Sequence, residues 1–245
     1  MKKLGLLGKN ISYSFSRNYF AEKFKNDGIS NEFCYDNFDI QSINEFLEVL
    51  KNNPDLIGMN VTIPYKQEII PFLDNLSDNA KEIGAVNTIK ISSNGKLIGH
   101  NTDYFGFTES LKPLLKPHHK KALILGTGGA AKAIAYGLKQ LGIEFQYVSR
   151  KKTDETISYS ELNQEVFDEY QIIINCSPIG TFPNIEDCPD IPYQYLTSNH
   201  IAYDLIYNPE KTTFLAKAEA QKSTIKNGYE MLVFQAEKAW EIWNS

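Results

Sequence analysis

The chain has 245 residues, 42% of them hydrophobic and 22% charged, with a net charge of −5 and a pI near 5.5. That length can bury one large core or two modest ones, and the acidic balance leaves no electrostatic footprint for nucleic acid or an anionic membrane. No stretch approaches the roughly 20 apolar residues of a membrane span. The cysteines Cys34, Cys176 and Cys188 and the scattered histidines lack metal-ligand spacing, so no metal is expected. Met1-Lys2-Lys3 precedes an apolar run that is too short for a signal peptide and stops at Lys9-Asn10. A soluble cytoplasmic protein with reduced thiols is the expectation.

Apolar runs alternate with amphipathic stretches along the chain, the pattern of an α/β protein. Leu4–Gly8 reads as a buried strand, and Ser16 as the cap of a helix with Tyr19, Phe20 and Phe24 on one face and Gly28 past its end. Phe33–Phe38 is a second strand, and Ser42–Leu50 a helix turning Phe46, Leu47 and Leu50 inward. Leu56–Thr62 is a third strand, after which Pro64 suits the first turn of a helix. Asn94-Gly95, between Ala85–Ile91 and Lys96–Gly99, signals a hairpin with a type I′ turn. A helix starts at Asp103 and ends near Leu115, before a polar turn carrying His118-His119. Strands at Ala122–Leu125, Phe145–Ser149, Gln171–Asn175 and Ile201–Leu205 follow, and a helix from Glu230 to Trp243 closes the chain. The change of character after Asn101 puts a domain boundary near Thr102. Residues 1–102 with the last helix, 229–245, form a mixed α/β domain, and residues 103–228 a Rossmann-like one.

Leu123-Ile124-Leu125 runs into Gly126-Thr127-Gly128-Gly129-Ala130, a strand followed by a glycine turn and a helix start. Glycines there let backbone N–H groups approach a pyrophosphate, and the helix N-terminus meets its charge. By itself the motif is equally an ordinary tight turn; the strand before, the Ala-rich helix after and the strand near Phe145 favour a dinucleotide. Roughly 20 residues on, an NAD-binding fold carries an acidic residue for the ribose 2′-hydroxyl. Here stand Ser149, Arg150, Lys151 and Lys152, cations suited to a 2′-phosphate, so NADP is expected. The bland alternative is a solvated basic turn.

Small polar residues gather where strands end in the first half: Ser12 to Ser16, Asn60 to Lys66, Gly84 to Thr88 and Gly99 to Asp103. Ligands in open α/β sheets bind outside the C-terminal strand ends, so three of these segments converge on one crevice suited to a small polyhydroxylated anion.

These segments resemble the shikimate dehydrogenase family over essentially the whole chain. The resemblance rests on Ser14 and Ser16, on Asn60 through Lys66, on Gly84 through Thr88, and on Asn101, Thr102, Asp103 and Gly106. It continues with Asn175 through Gly180, Tyr203 through Pro209 and Gly228 through Gln235. Arg17 stands where the family usually has proline, Tyr13 where histidine is common, and Ser149-Arg150-Lys151 where it has N-R-T.

The resemblance implies an oxidoreductase that interconverts shikimate and 3-dehydroshikimate with NADP, on the route through chorismate to aromatic amino acids. The small-molecule substrate would bind the first domain and NADP the second, in a monomer or homodimer with no nucleic-acid or membrane partner. Oxidising a secondary alcohol needs a base for the hydroxyl proton and a hydride acceptor. The resemblance gives the base to Lys66 and the partner carboxylate to Asp103, against a plain surface lysine and a helix cap. It assigns the substrate carboxylate to Ser14 and Ser16 with Tyr207, and the ring hydroxyls to Thr62, Asn87 and Gln235. Ser16 and Gln235 also have bland readings, as a helix cap and a solvent-facing polar residue. Gly126, Thr127, Gly128, Gly129, Ala130, Ser149, Arg150 and Lys151 would hold NADP. Asn175, Ser177, Gly180 and Ile206 would border it, with Gly228 letting backbone approach the nicotinamide. Cys176 reads as a small buried hydrophobe. A quinate/shikimate dehydrogenase using NAD and a catalytically silent ligand sensor are the alternatives; retention of both Lys66 and Asp103 speaks against the second.

Overall fold

The computed structural model describes residues 1–11 and 14–245, so Ser12 and the Tyr13 departure lie outside the described residues. Two compact units divide the chain: Met1–Thr102 with Ala236–Ser245, and Asp103–Gln235. The expected division of the last helix fell at its start, whereas its first turns belong to the second unit.

The first unit comprises β1 (Lys2–Gly8), α1 (Phe15–Asn26), β2 (Phe33–Asp39), α2 (Phe46–Asn52), β3 (Leu56–Val61), β4 (Asn75–Leu76), α3 (Asp78–Ile83), β5 (Thr88–Ile91) and β6 (Leu97–His100). Its mixed sheet has the order β2-β1-β3-β5-β6-β4. β1 lies parallel to β2 and β3, β5 runs antiparallel to β3 and β6, and β4 lies parallel to β6. The strand ends β1, β3 and β6 and the start of β5 therefore share one edge of the sheet.

Several local expectations are corrected. Ser14, not Ser16, caps α1: its extended backbone (φ −84, ψ 124) lets the hydroxyl accept from the Arg17 N–H, which puts Ser16 inside the first turn. Leu47 is 57% exposed. A capped 3₁₀ turn over Ile43–Glu45 leads into α2 and gives the inward face to Ile43, Phe46, Val49 and Leu50. Pro64 begins no helix; after a cis Ile63–Pro64 bond the chain passes through turns to a 3₁₀ segment at Ile70–Phe72. The hairpin between β5 and β6 is real, but its turn is not type I′, which needs positive φ at both central residues. Only Gly95 has it (φ 79), closing a turn in which its N–H bonds the Ser92 carbonyl at 2.8 Å.

The second unit comprises α4 (Asp103–Leu111), β7 (Lys121–Leu125), α5 (Gly129–Gln140), β8 (Glu144–Ser149), β9 (Thr156–Ser158), α6 (Gln164–Glu169), β10 (Ile172–Asn175), β11 (Ile201–Asp204), α7 (Thr213–Ala220), β12 (Thr224–Lys226) and α8 (Tyr229–Asn244). Its sheet is wholly parallel, in the order β12-β11-β10-β7-β8-β9. Alternate residues of one strand face opposite layers: Ile172 and Ile174 join one apolar core with Ile134 and Leu138, while Ile173 joins another with Phe167 and Phe214. The polar turn expected at His118-His119 is more structured than its composition suggests. His119 is buried, accepts from the Lys116 N–H at 2.9 Å, and shares the Asn199 carbonyl with His118.

Candidate active site

In the first unit, the shared sheet edge gathers polar groups. Thr62 follows β3, with its N–H on the Leu7 carbonyl at 2.9 Å. Lys66 is half-buried in the turn beyond it, held by its own backbone and by its neighbour. Its carbonyl accepts from the Val86 N–H at 2.7 Å, and the buried Tyr65 hydroxyl donates to the Ile40 carbonyl at 2.8 Å. These bonds fix where the lysine stem leaves the chain. Asn87, 3% exposed, joins the start of β5 to the residues after β6. Its Oδ1 accepts from the Thr102 N–H at 2.7 Å, and its Nδ2 donates to the Thr102 hydroxyl at 3.0 Å. Asp103 is the next residue along the chain. Ser14 and Ser16 lie at the start of α1, beyond β1, where Arg17 is exposed.

In the second unit, Asp103 is buried and opens α4. One turn on, Gly106 explains itself: a Cβ there would come within 2.4 Å of the Met231 carbonyl and 3.1 Å of the Gln235 N. Close packing of α4 on α8 therefore brings Gln235 opposite the face that carries Asp103 and Gly106. Tyr207 is half-buried, and burial raises its phenol above the usual range.

The strand order of the second sheet reverses between β7 and β10, where ligands of such sheets bind. Gly126 turns off β7 with φ 113, a region that favours glycine, and Gly128 caps α5 with no side-chain hydrogen bond to the first turn. A Cβ on Gly128 would meet nothing within 4 Å. Thr127 and Gly128 are exposed, Gly129 and Ala130 half-buried, and no acidic residue occupies the first turn. An open backbone at an uncapped helix start fits a pyrophosphate. At the end of β8 the Ser149 hydroxyl bonds the Lys151 carbonyl and, at 3.2 Å, Thr156. Lys152 pairs with Glu161, whose carboxyl that bond and the Ser158 N–H hold down at about 2. Among the described residues, Arg150 and Lys151 are exposed cations without a carboxylate partner, as a 2′-phosphate would require.

Two of the residues expected beside the cofactor have close partners within the second unit. Asn175 is fully buried, and its amide organises the following turn. Gly228 is needed because a Cβ would lie 2.1 Å from the Leu205 carbonyl oxygen; its close approach is to β11's exit, not to an open surface. Ser177 is half-buried, Gly180 adopts φ 95, and Ile206 is buried beside them. The Cys176 thiol is pushed well up by burial and by Asp204, which suits an inert group, and all three cysteines are free. Sequence reasoning gave no role to Tyr65, Thr102, Asp204 and Thr212, although the first three stand inside the segments that carry the resemblance. Asp204 has a further signal, an acid at a strand end in Tyr203-Asp204-Leu205.

Residues 6–89 match the family described as the shikimate dehydrogenase substrate binding domain. The chain is 39% identical to the shikimate dehydrogenase (NADP(+)) of Caldicellulosiruptor saccharolyticus, covering 99% of this chain and 92% of that one. Its fold is similar to the crystal structure of shikimate dehydrogenase from Aquifex aeolicus, with a TM-score of 0.88, 32% identity and coverage of 100% and 92%. It is also similar to shikimate 5-dehydrogenase from Listeria monocytogenes in complex with shikimate and NAD, with a TM-score of 0.88, 29% identity and coverage of 100% and 92%.

Proposed function

This chain belongs to the shikimate dehydrogenase family, and on that premise we propose that it interconverts shikimate and 3-dehydroshikimate with NADP, using Lys66 and Asp103 as the catalytic pair. The observation that carries the proposal is the gathering of Thr62, Lys66 and Asn87 at one sheet edge, with Asn87 gripping Thr102, the residue before Asp103. NADP supplies the hydride acceptor at the carbinol carbon. Lys66 takes the hydroxyl proton, and Asp103 works on the same hydroxyl as its carboxylate partner. Thr62, Asn87 and Gln235 orient the ring hydroxyls, and Ser14, Ser16 and Tyr207 hold the carboxylate. Gly126 to Ala130 receive the pyrophosphate, and Arg150 and Lys151 meet the 2′-phosphate. Among the described residues no helix is long and apolar enough to cross a membrane, and the three free thiols support a cytoplasmic location.

The test is steady-state kinetics following NAD(P)H absorbance, with shikimate and quinate each paired with NADP and NAD. The highest kcat/KM belongs to shikimate with NADP. A higher value for quinate, or for NAD, would replace that substrate or cofactor. An inert chain that still binds both ligands would be a sensor.

A further inference from the structure

Among the buried titratable groups of the second unit that the reaction does not use, Asp204 stands at a strand end. This last residue of β11 is 0% exposed, yet its carboxylate has three donors around it. Oδ1 accepts from Asn175 Nδ2 at 3.1 Å and from the Ile206 N–H at 3.1 Å; Oδ2 accepts from the Thr212 hydroxyl at 2.7 Å. Each donor belongs to a different piece of the sheet's C-terminal edge. Asn175 carries the turn after β10, its Oδ1 accepting from the Ser177 N–H at 3.0 Å and the Ser177 hydroxyl at 2.6 Å. Its Nδ2 also reaches the Ile179 carbonyl at 3.3 Å. Ile206 begins the segment after β11, and Thr212 caps α7 through the Leu215 N–H at 3.3 Å. Gly180 lies beside the same residues: a Cβ there would come within 2.9 Å of the Asp187 carbonyl and into ordinary contact, at 3.9 Å, with Ile206 and Thr212.

No cation compensates the acid among the described residues, and burial pushes its carboxyl up to about 6. A buried unpaired carboxylate is a stability cost that an apolar or amide side chain would avoid, so its presence at β11's end asks for a different return. The turn it fastens flanks β7 and β10, where the strand order reverses and a dinucleotide would sit.

We propose that Asp204 is a positioning residue for the dinucleotide: through Asn175, the Ile206 amide and Thr212 it locks the loops at 176–180 and 205–212 into the shape that receives the cofactor. The proposal rests on the cofactor reading above for the identity of the ligand.

Dissociation constants for NADP and NAD are measured by calorimetric titration without substrate, alongside kcat and the KM for shikimate, in Asp204→Ala and Asp204→Asn. Asp204→Ala loses all three bonds and weakens NADP binding about tenfold or more. Its KM for shikimate rises by a smaller factor than the NADP dissociation constant, because within the two loops only Tyr207 is assigned to the substrate. Asp204→Asn keeps the Oδ1 acceptor and stays within about threefold of wild type. A lowered melting temperature with an unchanged NADP dissociation constant in Asp204→Ala would mean a merely structural acid and overturn the proposal. Should Asp204→Ala not fold, the near-isosteric Thr212→Val removes one donor, and about threefold weaker NADP binding is expected; an unchanged constant there also overturns it. Wild type that binds NADP but leaves shikimate untouched overturns the substrate assignment alone. Wild type that binds neither dinucleotide overturns both readings.

Discussion

Lys66 and Asp204 show how differently two ionisable residues are handled. Lys66 is half-buried, and its position is set by its carbonyl's bond from the Val86 N–H and by the neighbouring Tyr65 hydroxyl's bond to the Ile40 carbonyl. If it takes the hydroxyl proton, Lys66→Met should lower kcat by roughly 10²-fold or more with little change in KM, because the lost interaction acts in the transition state. Near-normal turnover in a folded variant would remove it from the mechanism. Asp204 is predicted to leave a trace in stability as well as in binding. Its carboxyl lies at about 6 in the folded chain against an ordinary 3.8, so the folded state holds the proton more tightly. That contribution is complete below the unfolded value and is lost as pH rises through the folded one. Asp204→Asn removes the titration. Relative to wild type, the variant should gain about 2 kcal/mol in unfolding free energy between pH 4 and pH 7. Denaturant unfolding at the two pH values measures it, and a parallel pH dependence in both proteins would contradict the burial argument.

Among the elements, α8 does the most varied work. Its first turns pack on α4 through Gly106, while Ala236, Ala239 and Trp243 enter the aromatic core of the first unit with Phe20, Phe24 and Tyr35. The Trp243 ring lies over Gly58, where a Cβ would come within 2.3 Å, and its indole N–H bonds the Ile89 carbonyl at 3.0 Å. Gly106 is the more sensitive contact for function. A methyl at that position meets backbone on the neighbouring helix, which cannot swing aside as a flexible side chain would. Gly106→Ala should therefore cost about 1–3 kcal/mol in stability. It should also raise KM for shikimate, because Gln235 is displaced relative to Asp103. Unchanged stability and KM would show that α4 and α8 tolerate the separation.

At the scale of the whole molecule, each unit has its own sheet and its own apolar cores. A ligand that binds only folded protein stabilises it by mass action. NADP at 100 times its dissociation constant should add about 2.7 kcal/mol to unfolding of the second unit. With Arg150→Ala the same concentration should add markedly less, while NAD, lacking the 2′-phosphate, should act alike on both proteins. Calorimetric melting with each cofactor checks this. Equal losses for NADP and NAD would assign Arg150 to folding or to the pyrophosphate.

The α/β class, the main strands and the glycine turn with its basic partner were all legible in order along the chain. They depend on period and on local backbone chemistry, which neighbouring residues carry among themselves. Short pieces escaped: β4, β9 and β12 have only two or three residues, too few for a period to register. The cap moved from Ser16 to Ser14, and the hairpin turn changed type, because either choice was locally acceptable and the packed backbone selected one. Motif spacing marked Asn87, Asn175 and Gly228 as important without saying what they touch. Tertiary structure turned Asn87 toward Thr102, buried Asn175 on Asp204 and set Gly228 against Leu205. Those partners lie 15 to 29 residues apart in sequence for the two asparagines. A hydrogen bond across such a distance exists only once sheet register has brought its two ends together, so no local pattern encodes it.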